Sequence, residues 1–333
     1  MKPPEGARPR PLAIIARTAF VTLSVIAAAG CTLTTAAWFV DEPAIFAQLS
    51  PFRLQYAVLL LGHTLFCALM RRTRTATVFA TFAALNALAV LALHRGGEAQ
   101  PPHPHALKIV YANVQSENTD TTPLLALIAA ESPDLIALLE INARWDDDLS
   151  RALGQDFPHR FVQPREDNFG LALYSRLPLA DKTAKYLASP DFASLAATVR
   201  TSAGEVRLLL THPPPPSDSF NIRLRDQQIA AIGKWDGQDA HTTPTVILGD
   251  FNATPWCPPL SALLDNHRLR LASRGHAIYA ATWPTNLPHL RIPIDHVLLG
   301  GRVRTNDFHV GPAIGSDHFP LIVDLGLNLP SPE

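Results

Sequence analysis

From Thr18 to Val40 the sequence TAFVTLSVIAAAGCTLTTAAWFV carries no charge, and a helix needs only about 20 such residues to cross a hydrocarbon core of roughly 30 Å. No other feature restricts the chain as strongly, because a run of this kind must be buried in protein or in lipid. Two more apolar runs follow, LQYAVLLLGHTLFCALM from Leu54 to Met70 and TATVFATFAALNALAVLALH from Thr75 to His94. They explain why 47% of the 333 residues are hydrophobic and only 17% charged. A cleaved signal peptide is the competing reading of the first run, since Lys2, Arg8, Arg10 and Arg17 precede it, but the apolar sequence beyond it disfavours that. A hydrophobic soluble helix is the other alternative.

Three spanning helices, 18–40, 54–70 and 75–94, are therefore expected. Basic residues in short connections mark the cytoplasmic side. Lys2, Arg8 and Arg10 lie before Arg17, and Arg71, Arg72 and Arg74 follow the second run, whereas only Arg53 separates the first run from the second. The expected topology has residues 1–17 in the cytoplasm, a membrane domain over 18–94, and the rest of the chain outside the cytoplasm. Residues 95–106, with Pro101, Pro102 and Pro104, read as a semi-rigid spacer. If the second run were re-entrant, the same logic would return the domain to the cytoplasm.

Beyond the spacer, short Leu-, Ile- and Val-rich runs alternate with helical patterns, a mixed α and β arrangement. Strands are expected at 107–113, 134–140, 170–175, 205–212, 244–250, 294–299 and 321–325. Helices are expected from the Thr122-Pro123 step to about Ala130, with Thr122 as N-cap, and from Ser219 to Trp235. Asn113, Glu140, His212 and Asp250 each close one of the apolar runs. One polar residue ending a strand is ordinarily a turn former; four of them describe the rim of a site. The net charge of −1 supplies no basic field that would mark a nucleic-acid binder. Of the three cysteines only Cys257 falls in this part, so no disulfide framework can be drawn there.

The motifs VYANVQ (110–115), PDLIALLE (133–140), LLLTHPPPP (208–216), ILGDFNATP (247–255), IDHVLL (294–299) and GSDHFPL (315–321) together resemble the endonuclease/exonuclease/phosphatase superfamily. The resemblance covers the chain from residue 107 onward, a catalytic domain over 107–328 with a short tail at 329–333. It implies a four-layer αββα sandwich of α/β (α+β) class, preceded here by about three transmembrane helices. It also implies that Glu140 binds a divalent cation, Mg²⁺ or Mn²⁺, with Asn113 and Asp317 completing or supporting the shell. His318 would be the general base, oriented by Asp295. Asp250 and Asn252 would act on the attacking water and the transition-state oxygens. His212 would donate to a phosphoryl oxygen or protonate the leaving group. His296 should point to the opposite face from Asp295 and be structural. Asn168 and Gly170 read as architectural, and Trp283 as packing beside Thr282.

The chain departs from the nuclease pattern where Leu139 stands in place of a Gln before the metal-binding Glu, and where prolines replace a basic loop after His212. The expected function is a membrane-anchored, metal-dependent phosphoesterase acting on a phosphate ester, either lipid-linked or nucleic acid. The alternatives are an extracytoplasmic nuclease and a catalytically silent binding module held at the lipid bilayer by its N-terminal helices.

Overall fold

The computed structural model describes residues 11–36, 44–92, 104–236 and 244–327, and the chain divides into two units, Met1–Val90 and Leu91–Glu333. Helices form at all three apolar runs: α1 Pro11–Ala36, α3 Arg53–Leu69 and α4 Thr73–Ala92, with the short α2 Ala44–Leu49 between the first two. Ala37–Val40, His94 and the spacer up to His103 lie outside the described residues, as do 1–10 and the tail from Asn328. Ala27, Cys31, Leu60, Cys67, Phe79 and Ala83 make the inner contact of α1, α3 and α4. The buried His63 is hydrogen-bonded to Ser24 at 3.2 Å and packs edge-on against Phe79. Large aliphatic side chains instead face outward, Val58, Leu59 and Leu65 being 62%, 61% and 58% exposed. Among the described residues only α4 is long and apolar enough to cross a membrane. The expectation of three spanning helices is corrected in this respect, because α3 has 17 residues and the apolar part of α1, Phe20–Thr32, is shorter still.

The second unit is built on two six-stranded sheets. The first has the order β11-β12-β1-β2-β4-β3, from β1 His105–Asn113, β2 Leu135–Leu139, β3 His159–Gln163, β4 Leu171–Ser175, β11 Val303–Val310 and β12 Leu321–Leu327. The second has the order β5-β6-β7-β8-β10-β9, from β5 Leu179–Tyr186, β6 Ala193–Thr201, β7 Gly204–Thr211, β8 Thr245–Asp250, β9 Arg270–Leu271 and β10 Asp295–Gly300. Successive side chains of a strand point to opposite faces, and here both faces are covered, which is why the strands read as unbroken apolar runs. On β1, Ile109 and Tyr111 enter the core between the sheets with Leu208 and Val297 from the second sheet. Val110 and Ala112 face the other way, onto α5 Thr122–Glu131 and α6 Ala143–Leu153. The outer face of the second sheet is covered by α7 Ser219–Asp236 and α8 Pro258–Asn266, through Ile229, Ile232, Leu260 and Leu263. The four layers are thus helix, sheet, sheet, helix.

Two helix starts show the local logic. Asn142 caps α6 by accepting the Trp145 N–H at 3.0 Å, and α6 buries Trp145, Leu149 and Leu153 on one stripe. For α5 the N-cap is Thr121 rather than the expected Thr122, and the Thr122 N–H is taken by the Asp120 carboxylate at 2.9 Å.

Candidate active site

Strand topology brings the polar residues to one rim. β1 and β2 are parallel, joined through α5, and end together with Asn113 beside Leu139. β7 and β8 repeat the arrangement through α7, with Thr211 beside Gly249. Asn113 and Glu140 therefore emerge at the end of one parallel pair, and His212 and Asp250 at the end of the other. β10 runs antiparallel to β8 and starts with Asp295 directly opposite Asp250. The approach is close: a Cβ at Gly249 would lie 1.9 Å from the Thr211 carbonyl oxygen, so only glycine fits there.

Asp295, His318, Asp250 and His212 form one chain of groups. His318 Nδ1 lies 2.8 Å from Asp295 Oδ2, and His318 Nε2 lies 3.7 Å from Asp250 Oδ2, which is also 3.7 Å from His212 Nε2. All four are buried. Asp295 is clamped further by the Tyr111 hydroxyl, which donates to Oδ1 at 2.6 Å across the sheet interface, and by the Thr282 hydroxyl donating to Oδ2. Burial alone would raise the Asp295 carboxyl; the His318 imidazolium and the bonds from Thr282 and Tyr111 outweigh it and hold Asp295 below the usual carboxylate range. Burial likewise pulls His318 down, but the Asp295, Asp250 and Asp317 carboxylates carry it up to about 10. Asp250, buried beside the Asp295 charge, is raised well above the ordinary range. His212 is lowered to about 4, by burial and then by His318. A hydrogen bond to the Asn168 backbone and the Asp295 charge act against that lowering without reversing it.

Asn252 sits two residues past Asp250 with φ +48°. Its N–H donates to Asp250 Oδ1 at 2.8 Å, its side-chain amide donates to the Pro213 carbonyl at 3.0 Å, and Arg225 of α7 holds its carbonyl at 3.2 Å. The turn therefore fixes Asp250 and joins the β7 and β8 ends. His296 projects to the other face, its Nε2–H donating to the Ala253 carbonyl at 2.9 Å.

A second pole lies at the first sheet. Glu140, buried and at φ +62°, a conformation unfavourable for a long side chain, accepts from Asn113 Nδ2 at 2.9 Å and from the Ser116 N–H at 3.3 Å. Asn113 Oδ1 is occupied by the Gln115 N–H at 3.1 Å, so Asn113 supports Glu140 more directly than it offers an oxygen. Asp317, with its side chain 39% exposed, accepts from Trp283 Nε1 at 2.9 Å on one oxygen and keeps the other 4.0 Å from His318 Nε2. Burial raises the Glu140 carboxyl, the bonds from Asn113 and Ser116 and the charge of His318 offset this in part, and Asp317 pushes it further up. Two hard carboxylates that repel one another, one of them buried against neutral donors, suit a divalent cation. Asp250, Asp295 and His318 also place ligand atoms within 4.8 Å of one another, but both Asp295 oxygens are taken by Tyr111, Thr282 and His318. Glu140 and Asp317 are the better-matched pair.

Every expected residue is therefore at the rim, and several others emerge with them. Trp283 is more than packing, since it orients Asp317; Ser316 ties the His318 loop to β1 by donating to the Asn113 carbonyl at 2.8 Å. Tyr111 was legible in principle: two residues before Asn113 on β1 it shares that residue's face, and a tyrosine in a buried strand needs a partner for its hydroxyl.

A sequence profile of the Endonuclease/Exonuclease/phosphatase family matches residues 110–318. No curated protein matches the chain in sequence. Among solved structures, an endonuclease/exonuclease/phosphatase from Beutenbergia cavernae is similar at TM-score 0.55 and 20% identity, over 67% of this chain and 72% of that one. The human Nocturnin catalytic domain with bound sulfate anion is similar at TM-score 0.55 and 16% identity, over 67% and 95%. D. rerio TDP2 complexed with single strand DNA product is similar at TM-score 0.55 and 16% identity, over 66% and 99%.

Proposed function

The chain belongs to the endonuclease/exonuclease/phosphatase family and is a metal-dependent phosphoric ester hydrolase; from that premise we propose a membrane-anchored enzyme that uses Mg²⁺ to hydrolyse a phosphodiester or phosphomonoester by in-line attack of water. The observation that carries the reading is the buried chain Asp295, His318, Asp250, His212 set beside Glu140.

Glu140 and Asp317, supported by Asn113 and Trp283, would hold the cation. Once bound, Mg²⁺ or Mn²⁺ supplies positive charge to the phosphoryl oxygens and offsets the carboxylates that otherwise keep His318 protonated. Asp295 fixes His318 by its Nδ1–H and leaves Nε2 directed at Asp250, the place where a proton from the attacking water is received. Asp250 accepts from that water and aligns it, and Asn252 holds Asp250 in place. His212, neutral because it is buried, donates from Nε2 to a phosphoryl oxygen or to the leaving oxygen.

The membrane part of the proposal is supported by α4, by the apolar runs Thr18–Val40 and Leu54–Met70, and by a bundle that turns aliphatic side chains outward while burying His63 and Asn86. A lipid-linked phosphate is the substrate that suits such a tether. The nuclease reading draws on the TDP2 structure, whose ligand is a single strand DNA product.

The test is hydrolysis of bis-p-nitrophenyl phosphate by the full-length protein with Mg²⁺ or EDTA. EDTA should abolish turnover, and His318→Ala or Asp250→Asn should lower it at least about 10²-fold without loss of folding. Turnover that survives EDTA, or near wild-type rates in either variant, would refute these roles.

A further inference from the structure

Beside His212 the rim carries an aromatic step. The Phe169 ring lies 5.2 Å from the His212 ring and 4.5 Å from Phe192, which meets it edge-on at 64°. Both phenylalanines are half-buried, so each keeps an open part. Their placement is rigid. A Cβ at the next residue, Gly170, would lie 1.7 Å from the Ile141 carbonyl oxygen, so backbone is pressed against backbone there. The preceding residue, Asn168, accepts from Ser116 Oγ at 2.7 Å, and the Ser116 N–H bonds to Glu140. Arg165 links the two loops by donating to the Asp191 carbonyl at 3.1 Å. The Asn168–Phe169 segment thus runs from the Glu140 pole to His212, alongside the place where a phosphate would sit.

The charges around the step are acidic. Glu166, Asp167 and Asp191 are exposed, and the one basic side chain of the segment, Arg165, is engaged by both Asp167 oxygens. On the other side of His212 the chain continues as Pro213 to Pro216. Such a wall repels a second phosphate and leaves a polyanionic strand unneutralised, whereas it can remove an apolar group from water.

We propose that Phe169 and Phe192 form a subsite for an uncharged, apolar substituent of the phosphoester, adjoining the scissile phosphate at His212. The subsite rests on the phosphoesterase reading and gives it a substrate class: esters of a hydrophobic alcohol, in preference to nucleic acid.

The experiment compares methyl p-nitrophenyl phosphate with its hexyl counterpart, using the full-length protein in nanodiscs. Wild type should favour the hexyl diester by about tenfold in kcat/KM, as expected for a few methylenes in an apolar pocket. Phe192→Ala and the milder Phe169→Leu should each reduce that ratio, through KM for the hexyl ester. The ratio is read within each variant, so a general loss of activity does not imitate the effect. A wild type without hexyl preference, or variants that keep the wild-type ratio, would overturn the subsite. If neither ester is hydrolysed, the phosphoesterase reading fails on its own terms. Calorimetric binding of hexylphosphonate then decides: binding that Phe192→Ala weakens about tenfold sustains the subsite, and binding that is absent or indifferent to the variant removes it.

Discussion

At the scale of single residues, the proton inventory of the rim depends on groups beyond the expected catalytic and metal-binding residues. Tyr111 donates to Asp295 Oδ1, and deep burial beside Asp295 and Asp250 raises its phenol well above 10, so the hydroxyl stays a donor. Tyr111→Phe would leave one buried oxygen of Asp295 unsatisfied, a cost of roughly 1–3 kcal/mol, and free the carboxylate to rotate. The expected outcome is a kcat lowered about tenfold at unchanged KM, with a displaced His318 Nδ1–H proton resonance; a normal resonance and normal kcat would show that Thr282 suffices. His296 gives a separate test through stability. It is neutral in the fold, lowered to about 4 by burial, while the unfolded chain takes up a proton near pH 6.5. Between those values the unfolded state binds more protons, so folding weakens as pH falls through the window, by roughly 3 kcal/mol when complete. His296→Gln should flatten that slope in urea denaturation at pH 7 and pH 5; an unchanged slope would assign it elsewhere. Asn113, Glu140, His212 and Asp250 were legible because each closes an apolar run, and Asn252, Asp295, Asp317 and His318 because they stand in the family's motifs. The orienting roles of Trp283 and Ser316 were not, because these residues reach the rim from two loops distant in sequence, and only the closed sandwich juxtaposes them with Asp317 and β1.

At the scale of elements, seven strands and both expected helices lie where the apolar runs place them. Of the five other strands, three escaped for identifiable reasons. β5, Leu179–Tyr186, is an edge strand with mostly half-buried or exposed side chains, including Asp181, Lys182 and Lys185, so it has no apolar signature. β3 lies at the edge of the other sheet and contains His159 and Arg160. β11, also an edge strand, is interrupted by a bulge between Thr305 and Asp307, which breaks the two-residue period. The close approaches at Gly170 and Gly249 are invisible in sequence except as the glycines themselves. Gly170→Ala would push a methyl group into the Ile141 carbonyl, whose oxygen accepts the Arg165 N–H at 2.9 Å. The backbone beside Glu140 would have to move, so a loss of roughly 1–3 kcal/mol in stability should be accompanied by weaker activation by divalent metal. A variant with wild-type denaturation and metal dependence would show that the loop accommodates the methyl elsewhere.

At the scale of the whole molecule, the two units obey opposite solvent rules. Among the described residues of Leu91–Glu333 the aliphatic side chains fill the sandwich, and the buried carboxylates Glu140, Asp250 and Asp295 gather at the rim. In Met1–Val90, Val58, Leu59, Leu65 and Val78 are more than half exposed while His63 and Asn86 are buried. Water penalises the second arrangement and hydrocarbon favours it, since lipid-facing helices gain nothing by hiding leucine but must shelter polar groups. Length argues less strongly, because α3 matches a bilayer only near the lower limit of about 17 residues. Orientation then turns on that helix. If α1, α3 and α4 all cross, the arginines at 71, 72 and 74 stay cytoplasmic and Glu333 ends outside the cytoplasm; if α3 does not cross, Glu333 returns to the cytoplasmic side. A fusion after Glu333 separates the two cases: with three crossings alkaline phosphatase would be active there and a fluorescent protein that matures only in the cytoplasm would be dark. The reverse pattern would remove α3 from the spanning helices and place the catalytic unit of the proposed anchored enzyme on the cytoplasmic face.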